Sequence, residues 1–95
     1  MKNKKDIKDM KNLERTLKAL ANKRRLAIVK YLKECQSASV GDIAEKIDLS
    51  FRATSRHLGV LSSADIVEKE QKSLQMLYWI SENQKTVAKQ IISSL

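Results

Sequence analysis

The sequence predicts a mainly α fold carrying one small two-stranded β-ribbon near its C-terminal end. Three observations lead there. Proline is absent and only 2 glycines occur in 95 residues, so the chain has few obligatory breaks. Apolar residues recur at steps of three and four through most of the chain, the spacing of one helix face. Between residues 66 and 81 the pattern changes, and IVEKEQ and QMLYWIS suit a pair of strands. The length is that of one domain, with no repeat or low-complexity tract. Hydrophobic residues at 42% suffice for a core, and with aromatics at 4% aliphatic side chains must do most of the packing.

In chain order, residues 1–5 (MKNKK) read as a short basic arm ahead of a single domain over 6–95. A first helix is expected from about Asp6 to Ala21, with Ile7, Met10, Leu13, Leu17, Leu20 and Ala21 as its stripe and Lys and Arg opposite. Asn22 can cap a second helix, NKRRLAIVKYLKECQ. Its apolar set of Leu26, Ile28, Val29, Tyr31 and Leu32 covers more of the circumference, so it should be the most buried. QSASV reads as a small polar link. Ser39 is a good cap for a short third helix, VGDIAEKI, with Asp42 three residues on and Val40, Ile43, Ala44 and Ile47 inward. Asp48-Leu49-Ser50 makes a tight turn, for which Asp can adopt the left-handed conformation at moderate cost. Ser50 caps a fourth helix over Phe51–Ser63, with Thr54, Leu58 and Leu61 facing the core. The ribbon's linker around Lys72-Ser73-Leu74 has no glycine, which leaves its turn type open. A last helix is expected in SENQKTVAKQIISSL, capped by Ser81 with Glu82 in its first turn. Its stripe is Val87, Ile91 and Leu95, with Ala88 and Ile92 beside it.

The net charge of +8 is unevenly placed. Residues 1–33 hold 12 Lys/Arg against 3 Asp/Glu, and residues 34–95 hold 7 against 8. A basic N-terminal third implies attraction to a polyanion or merely a soluble, Lys-rich surface. The single cysteine, Cys35, excludes an internal disulfide and any multi-cysteine zinc site. No apolar run approaches the ~20 residues that span a bilayer, and no apolar segment follows the Lys-rich start, so a cytoplasmic protein without membrane association is expected.

A short helix, a three-residue turn and a second helix form a helix-turn-helix, whose second helix fits the major groove of DNA. At these residues the chain resembles the ArsR family of winged helix-turn-helix transcriptional regulators. The resemblance runs from about Leu17 to Ser81. It rests on LKALANKRRLAIVKYL, on VGDIAEKIDLSFRATSRHLGVLSSADIVEKE, and most specifically on SRHLGVL, where Ser55, His57, Leu58 and Leu61 stand at the family's positions. It implies that residues 51–63 are a recognition helix, that residues 66–81 are a wing, and that the first and last helices form a dimer interface. The stripes themselves support that interface through Leu13, Leu17, Val87, Ile91 and Leu95, although the last helix can instead pack on the first within one chain.

The expected recognition helix contains no acid between Phe51 and Ser63. Arg52 and Arg56, four apart, share one side of it and can grip guanine or phosphate. Ser50 and Ser55 can donate to phosphate or accept from bases, and Ala53 allows close approach or contact with a thymine methyl. His57 is read as a phosphate contact or a structural hydrogen-bonding group. Arg25 stands at the family's "RL" arginine and is structural or phosphate-facing. Phe51 belongs in the core or reaches a base, the core being favoured. In the wing, Lys69 and Lys72 can hold phosphates, diluted by Glu68 and Glu70.

Many members of the family sense metals through a "CVC" motif on the third helix. Here Ser39-Val40-Gly41 stands in that place. The alternative site on the last helix needs Asp, Glu and His, and that helix has only Glu82, so no metal and no cofactor are expected. Cys35 reads as a buried small hydrophobe or as a redox thiol, the former favoured. Asp65 stands where the family has glycine. No nucleophile–base pair and no phosphate-binding glycine loop support an enzyme. The expectation is a homodimeric repressor of double-stranded DNA reading an inverted repeat, with its effector open. The alternatives are a winged-helix protein-interaction module or a low-specificity architectural nucleic-acid binder.

Overall fold

The computed structural model describes residues 4–95, with side chains from Asp6 onward. Of the expected basic arm, residues 1–3 lie outside the described residues, and Lys4 and Lys5 open the first helix. The order is α1 (Lys4–Leu20), α2 (Lys23–Cys35), β1 (Ala38–Ser39), α3 (Val40–Ile47), α4 (Phe51–Ser63), β2 (Val67–Lys72), β3 (Gln75–Ile80) and α5 (Thr86–Ser93).

Local chemistry sets most boundaries. Asn22 sits in extended backbone, and its Oδ1 accepts from the Arg24 and Arg25 N–H groups at 2.9 and 3.1 Å. Ser39 caps α3 through the Asp42 N–H at 3.2 Å, and Ser50 caps α4 through the Ala53 N–H at 3.1 Å. Asp48 takes the left-handed conformation (φ 56°, ψ 55°). The Leu49 N–H bonds the Ala44 carbonyl at 3.0 Å and the Asp48 N–H that of Glu45 at 3.3 Å. This is a Schellman ending with Asp where glycine is usual. The end of α4 repeats it: Asp65 has φ 60°, with Ile66 N–H to Leu61 O and Asp65 N–H to Ser62 O, both 3.0 Å. The aspartates thus do the work glycine does elsewhere, and each ending turns the chain sharply.

The core lies between α2, α3, α4 and the sheet. Ile28, Val29, Ile43, Leu58 and Leu61 are fully excluded from solvent, with Leu32, Ile66 and Val67 beside them. The helical ones come from the expected inward stripes, while Ile66 and Val67 enter at the start of the ribbon. α2 is the central element, as its wide apolar surface requires. α1 contributes Thr16, Ala19 and Leu20 and leaves Ile7, Met10 and Leu17 exposed.

Four expectations need correction. First, the two-stranded wing is present as β2–β3, but a third strand joins it, giving the antiparallel order β1-β3-β2. The stretch read as a polar link supplies β1, in which Ala38 pairs with Tyr78 and Ser39 with Leu77. Two residues carry too little pattern to announce a strand. Second, α5 begins at Thr86, not after Ser81. Ser81 Oγ accepts from the Asn83 N–H at 3.2 Å, closing a local turn, and Gln84 Nε2 donates to the Ile66 and Ser81 carbonyls at 2.8 and 3.0 Å. These bonds pin residues 81–84 to the base of the wing. Third, Phe51 is 63% exposed and lies outside the core. Fourth, Cys35 is exposed, because it falls on the solvent side of the last turn of α2.

α5 docks on α2. Ala88 and Ile92 are buried, and Lys33 Nζ donates to the Ile92 and Ser93 carbonyls, both at 3.2 Å, and to that of Leu95 at 3.5 Å. A cation at a helix C-terminus meets the unpaired carbonyls there.

Candidate nucleic-acid interface

α4 is anchored by Thr54, Leu58 and Leu61 on one side. That fixes which residues turn outward: Arg52, Ser55, Arg56 and Gly59 are exposed, with Ala53 and His57 half-buried at the margin. Ser50 is exposed at the N-terminus with its Oγ committed to the cap. The helix offers two guanidiniums and the Ser55 hydroxyl on a surface to which it contributes no carboxylate. Gly59 has open space where a side chain would stand, so it keeps that surface low without relieving a clash.

Two expected site residues are tied to each other. Arg25 Nη1 donates to His57 Nδ1 at 3.1 Å, while its Nε donates to the Ala19 carbonyl at 2.5 Å and its Nη2 to that of Lys18 at 3.1 Å. One side chain on α2 therefore joins the last turn of α1 to the outward margin of α4. Because Nδ1 accepts, the proton of neutral His57 lies on Nε2. Partial burial, then the charges of Arg25, Arg24 and Arg56, hold the His57 pKa below the ordinary imidazole value. Of the two roles open to Arg25 and His57, the structural one has partners in the fold. Residues 25 and 57 carried no sequence signal of this pairing, since the bond spans 32 positions.

The wing carries the remaining basic candidates. In β2–β3 the register pairs Val67 with Ile80, Lys69 with Tyr78 and Lys72 with Gln75. Alternation then puts Lys69 and Lys72 on opposite faces of the ribbon. Lys69 shares the face of buried Tyr78, and Lys72 shares that of Glu68 and Glu70. Both lysines are exposed, but they are not brought together. The turn between the strands is two residues long. Ser73 alone has positive φ, at 58°, the φ pattern of a type II′ turn, and its carbonyl is held by Gln71 Nε2 at 3.0 Å. Leu74 is fully exposed at the tip.

Of the five residues expected at a dimer interface, Leu13 and Leu17 lie on α1, Val87 and Ile91 on α5, and Leu95 just beyond α5. Leu17 is exposed, and Leu13, Val87, Ile91 and Leu95 are half-buried. Ile91 and Leu95 also pack against the core of their own chain, where α5 docks on α2 and not on the first helix. No helix among the described residues is long and apolar enough to cross a membrane.

A helix-turn-helix closed by a β-ribbon, with a cation-bearing second helix, is the architecture of a winged helix-turn-helix DNA-binding regulator. A family model described as "Bacterial regulatory protein, arsR family" matches residues 22–69. The chain belongs to the ArsR family of bacterial regulators. HlyU from Vibrio cholerae is 31% identical, with 92% of this chain and 90% of that one covered and a TM-score of 0.78. The homodimeric winged helix-turn-helix DNA-binding domain of Mb0332 from Mycobacterium bovis is 26% identical, covers 98% and 83%, and has a TM-score of 0.84. The transcriptional repressor BigR from Xylella fastidiosa is 29% identical over 98% and 92%, with a TM-score of 0.74. No curated protein sequence matches the chain.

The thiolate-bearing site that the resemblance associates with metal sensing does not fit these residues. Ser39 Oγ is already engaged by the Asp42 N–H, Val40 is buried in the core, and Gly41 has no side chain. No step involving a metal follows from this chain.

Proposed function

We propose that this protein is a homodimeric repressor that reads an inverted repeat in double-stranded DNA through α4. The observation that carries the reading is the surface of α4: Arg52, Ser55 and Arg56 point outward and no acid lies between residues 51 and 63. Arginine pairs bidentately with guanine or phosphate, and a carboxylate in that face would repel both strands. Ala53 and Ser55 contribute to base contacts, Ser50 and His57 to the helix margin, and Lys69 and Lys72 to backbone contacts from two faces of the wing. Two such helices would meet successive major grooves about 34 Å apart.

Dimerisation is supported by the apolar surface that one chain leaves open. Ile7, Met10 and Leu17 on α1 are 47%, 60% and 43% exposed, in the same stripe as Leu13. Val87 and Ile91 on α5, and Leu95 just after it, are only half-covered. The radius of gyration is 14.0 Å, against roughly 12 Å for a compact domain of this length. A second copy covering both helices would remove the exposed stripe. The relation to a homodimeric DNA-binding domain agrees with this arrangement. The reading carries no metal-dependent release, since the family's thiolate positions hold Ser39, Val40 and Gly41.

The test is fluorescence anisotropy on a duplex from the protein's own upstream region, beside a scrambled duplex of equal length. A regulator of this kind prefers the upstream site by ~10³-fold or more at physiological salt. Equal, steeply salt-dependent binding to both would instead mark a low-specificity architectural binder. Binding to neither would move the function to protein interaction.

A further inference from the structure

An open groove of about 640 Å³ lies between one face of α2, from Lys23 to Glu34, and the C-terminal end of α3. Lys23, Arg24, Lys30 and Lys46 surround it, with Glu34 as the one acid in its wall. None of the four cations forms an ion pair among the described residues. Lys46 Nζ lies 5.9 Å from the centre of the Tyr31 ring, which holds that ammonium over the groove. The Arg24 and Arg25 amides at the start of α2 are already taken by the Asn22 side chain. An anion in this groove is therefore met chiefly by side chains.

The groove adjoins α4 at two places. Ile47, in its wall, is followed after the three-residue turn 48–50 by the first residue of α4. Arg24, in its opposite wall, is close enough to His57 on α4 to depress the pKa of that imidazole. For the groove to act on DNA, a duplex seated on α4 has to pass this corner. Its wall presents one phosphate charge for each ~1.7 Å of helix axis, so several phosphates come within reach of flexible lysines. Asp42 and Glu45, which act electrostatically on Tyr31, bound the track on its α3 side. They leave the Arg24 end as the most positive part.

We infer that the α2–α3 groove is a second DNA contact, a phosphate clamp for the duplex flanking the segment read by α4, built from Lys23, Arg24, Lys30 and Lys46. This rests on the reading of α4 as the helix that enters the major groove, and it extends the footprint beyond the half-site. The clamp is indifferent to base sequence and acts through backbone charge.

The experiment compares two duplexes. One is about 20 bp and covers only the two half-sites; the other carries about 10 bp more on each side. Wild type and a K23Q/R24Q/K30Q/K46Q variant are titrated from about 50 to about 200 mM salt, with thermal melts to establish that the variant is folded. The clamp predicts that wild type binds the longer duplex more tightly. The variant loses that gain, roughly tenfold or more, and its slope of log K against log salt falls by about 2 or more, while binding to the short duplex stays within about twofold. The single K30E variant repeats the loss in milder form, and E34Q strengthens binding to the longer duplex, an effect of opposite sign that a folding defect would not produce. Equal affinity and equal slope of variant and wild type on the longer duplex would overturn the clamp while leaving α4's role intact. Wild type that binds neither duplex would overturn the reading of α4, and the clamp with it.

Discussion

Replacing Arg25 with Met removes the side chain that ties three helices together. The guanidinium makes three hydrogen bonds, to the carbonyls of Ala19 and Lys18 and to His57 Nδ1. A bond involving a charged group is worth about 1.5–3 kcal/mol when shielded, and less where water can replace it. The bond to Lys18 is exposed and contributes little; the other two are partly buried. Met keeps part of the aliphatic packing. The net loss should be about 3 kcal/mol, or roughly 10–20 °C in Tm for a domain of this size. A pH dependence accompanies it. His57 has a folded-state pKa below its unfolded value, so its contribution to stability is full above the ordinary pKa near 6.5. It is lost as pH falls through the lowered folded value. Without Arg25 that value rises, because one repelling charge is gone while burial remains. The stability gap between wild type and Arg25→Met should therefore narrow as pH falls below the ordinary imidazole value of 6.5. Thermal melts by circular dichroism at fixed protein concentration, with His57 followed by NMR, measure both. A loss below about 1 kcal/mol together with an unmoved His57 titration would show that the Arg25 bridge does not hold these helices.

Thr54 Oγ1 is buried with no hydrogen-bond partner, so Thr54→Val should stabilise the fold by about 1 kcal/mol, seen as a higher denaturation midpoint. Asp65 has φ 60°, and Asp65→Gly relieves that backbone cost at the price of an exposed 3.7 Å ion pair with Arg15. The expected gain is about 0.5–1 kcal/mol by thermal melt, whereas a loss would mean that the ion pair outweighs the conformational term. Leu17→Glu places a charge in the middle of the exposed stripe of α1. Sedimentation should then show a folded monomer where wild type is a dimer, and an unchanged mass would remove α1 from the interface.

The elements that could be read from sequence are those whose signal is local. Asn22, Ser39 and Ser50 each place a hydroxyl or amide where the first free N–H groups of a helix need it, and each caps the helix expected. Asp48 and Asp65 both take the left-handed turn, although neither is glycine. The outward face of α4 follows from the inward spacing of Thr54, Leu58 and Leu61. What was misread depends on partners distant in sequence. Ala38 and Ser39 become a strand only because β3 arrives beside them. Ser81 and Glu82 look like a helix start, but the Gln84 amide finds the carbonyl of Ile66 and holds the segment as a turn. Phe51 and Cys35 were assigned by residue type, and their positions on the turn of a helix decided otherwise. That Lys69 and Lys72 take opposite faces follows from alternation along one strand, but which of them faces Tyr78 depends on strand register, which the two-residue turn sets.

The central claim is that Arg52 and Arg56 carry recognition. Its most direct measurement is the affinity of the Arg52→Ala/Arg56→Ala variant for the preferred upstream duplex and for the scrambled one. A bidentate arginine is worth about 1–3 kcal/mol of discrimination, so the double variant should lose at least ~30-fold on the preferred duplex and much less on the scrambled one. Folded variant protein that still prefers the upstream duplex to the same degree would contradict the account.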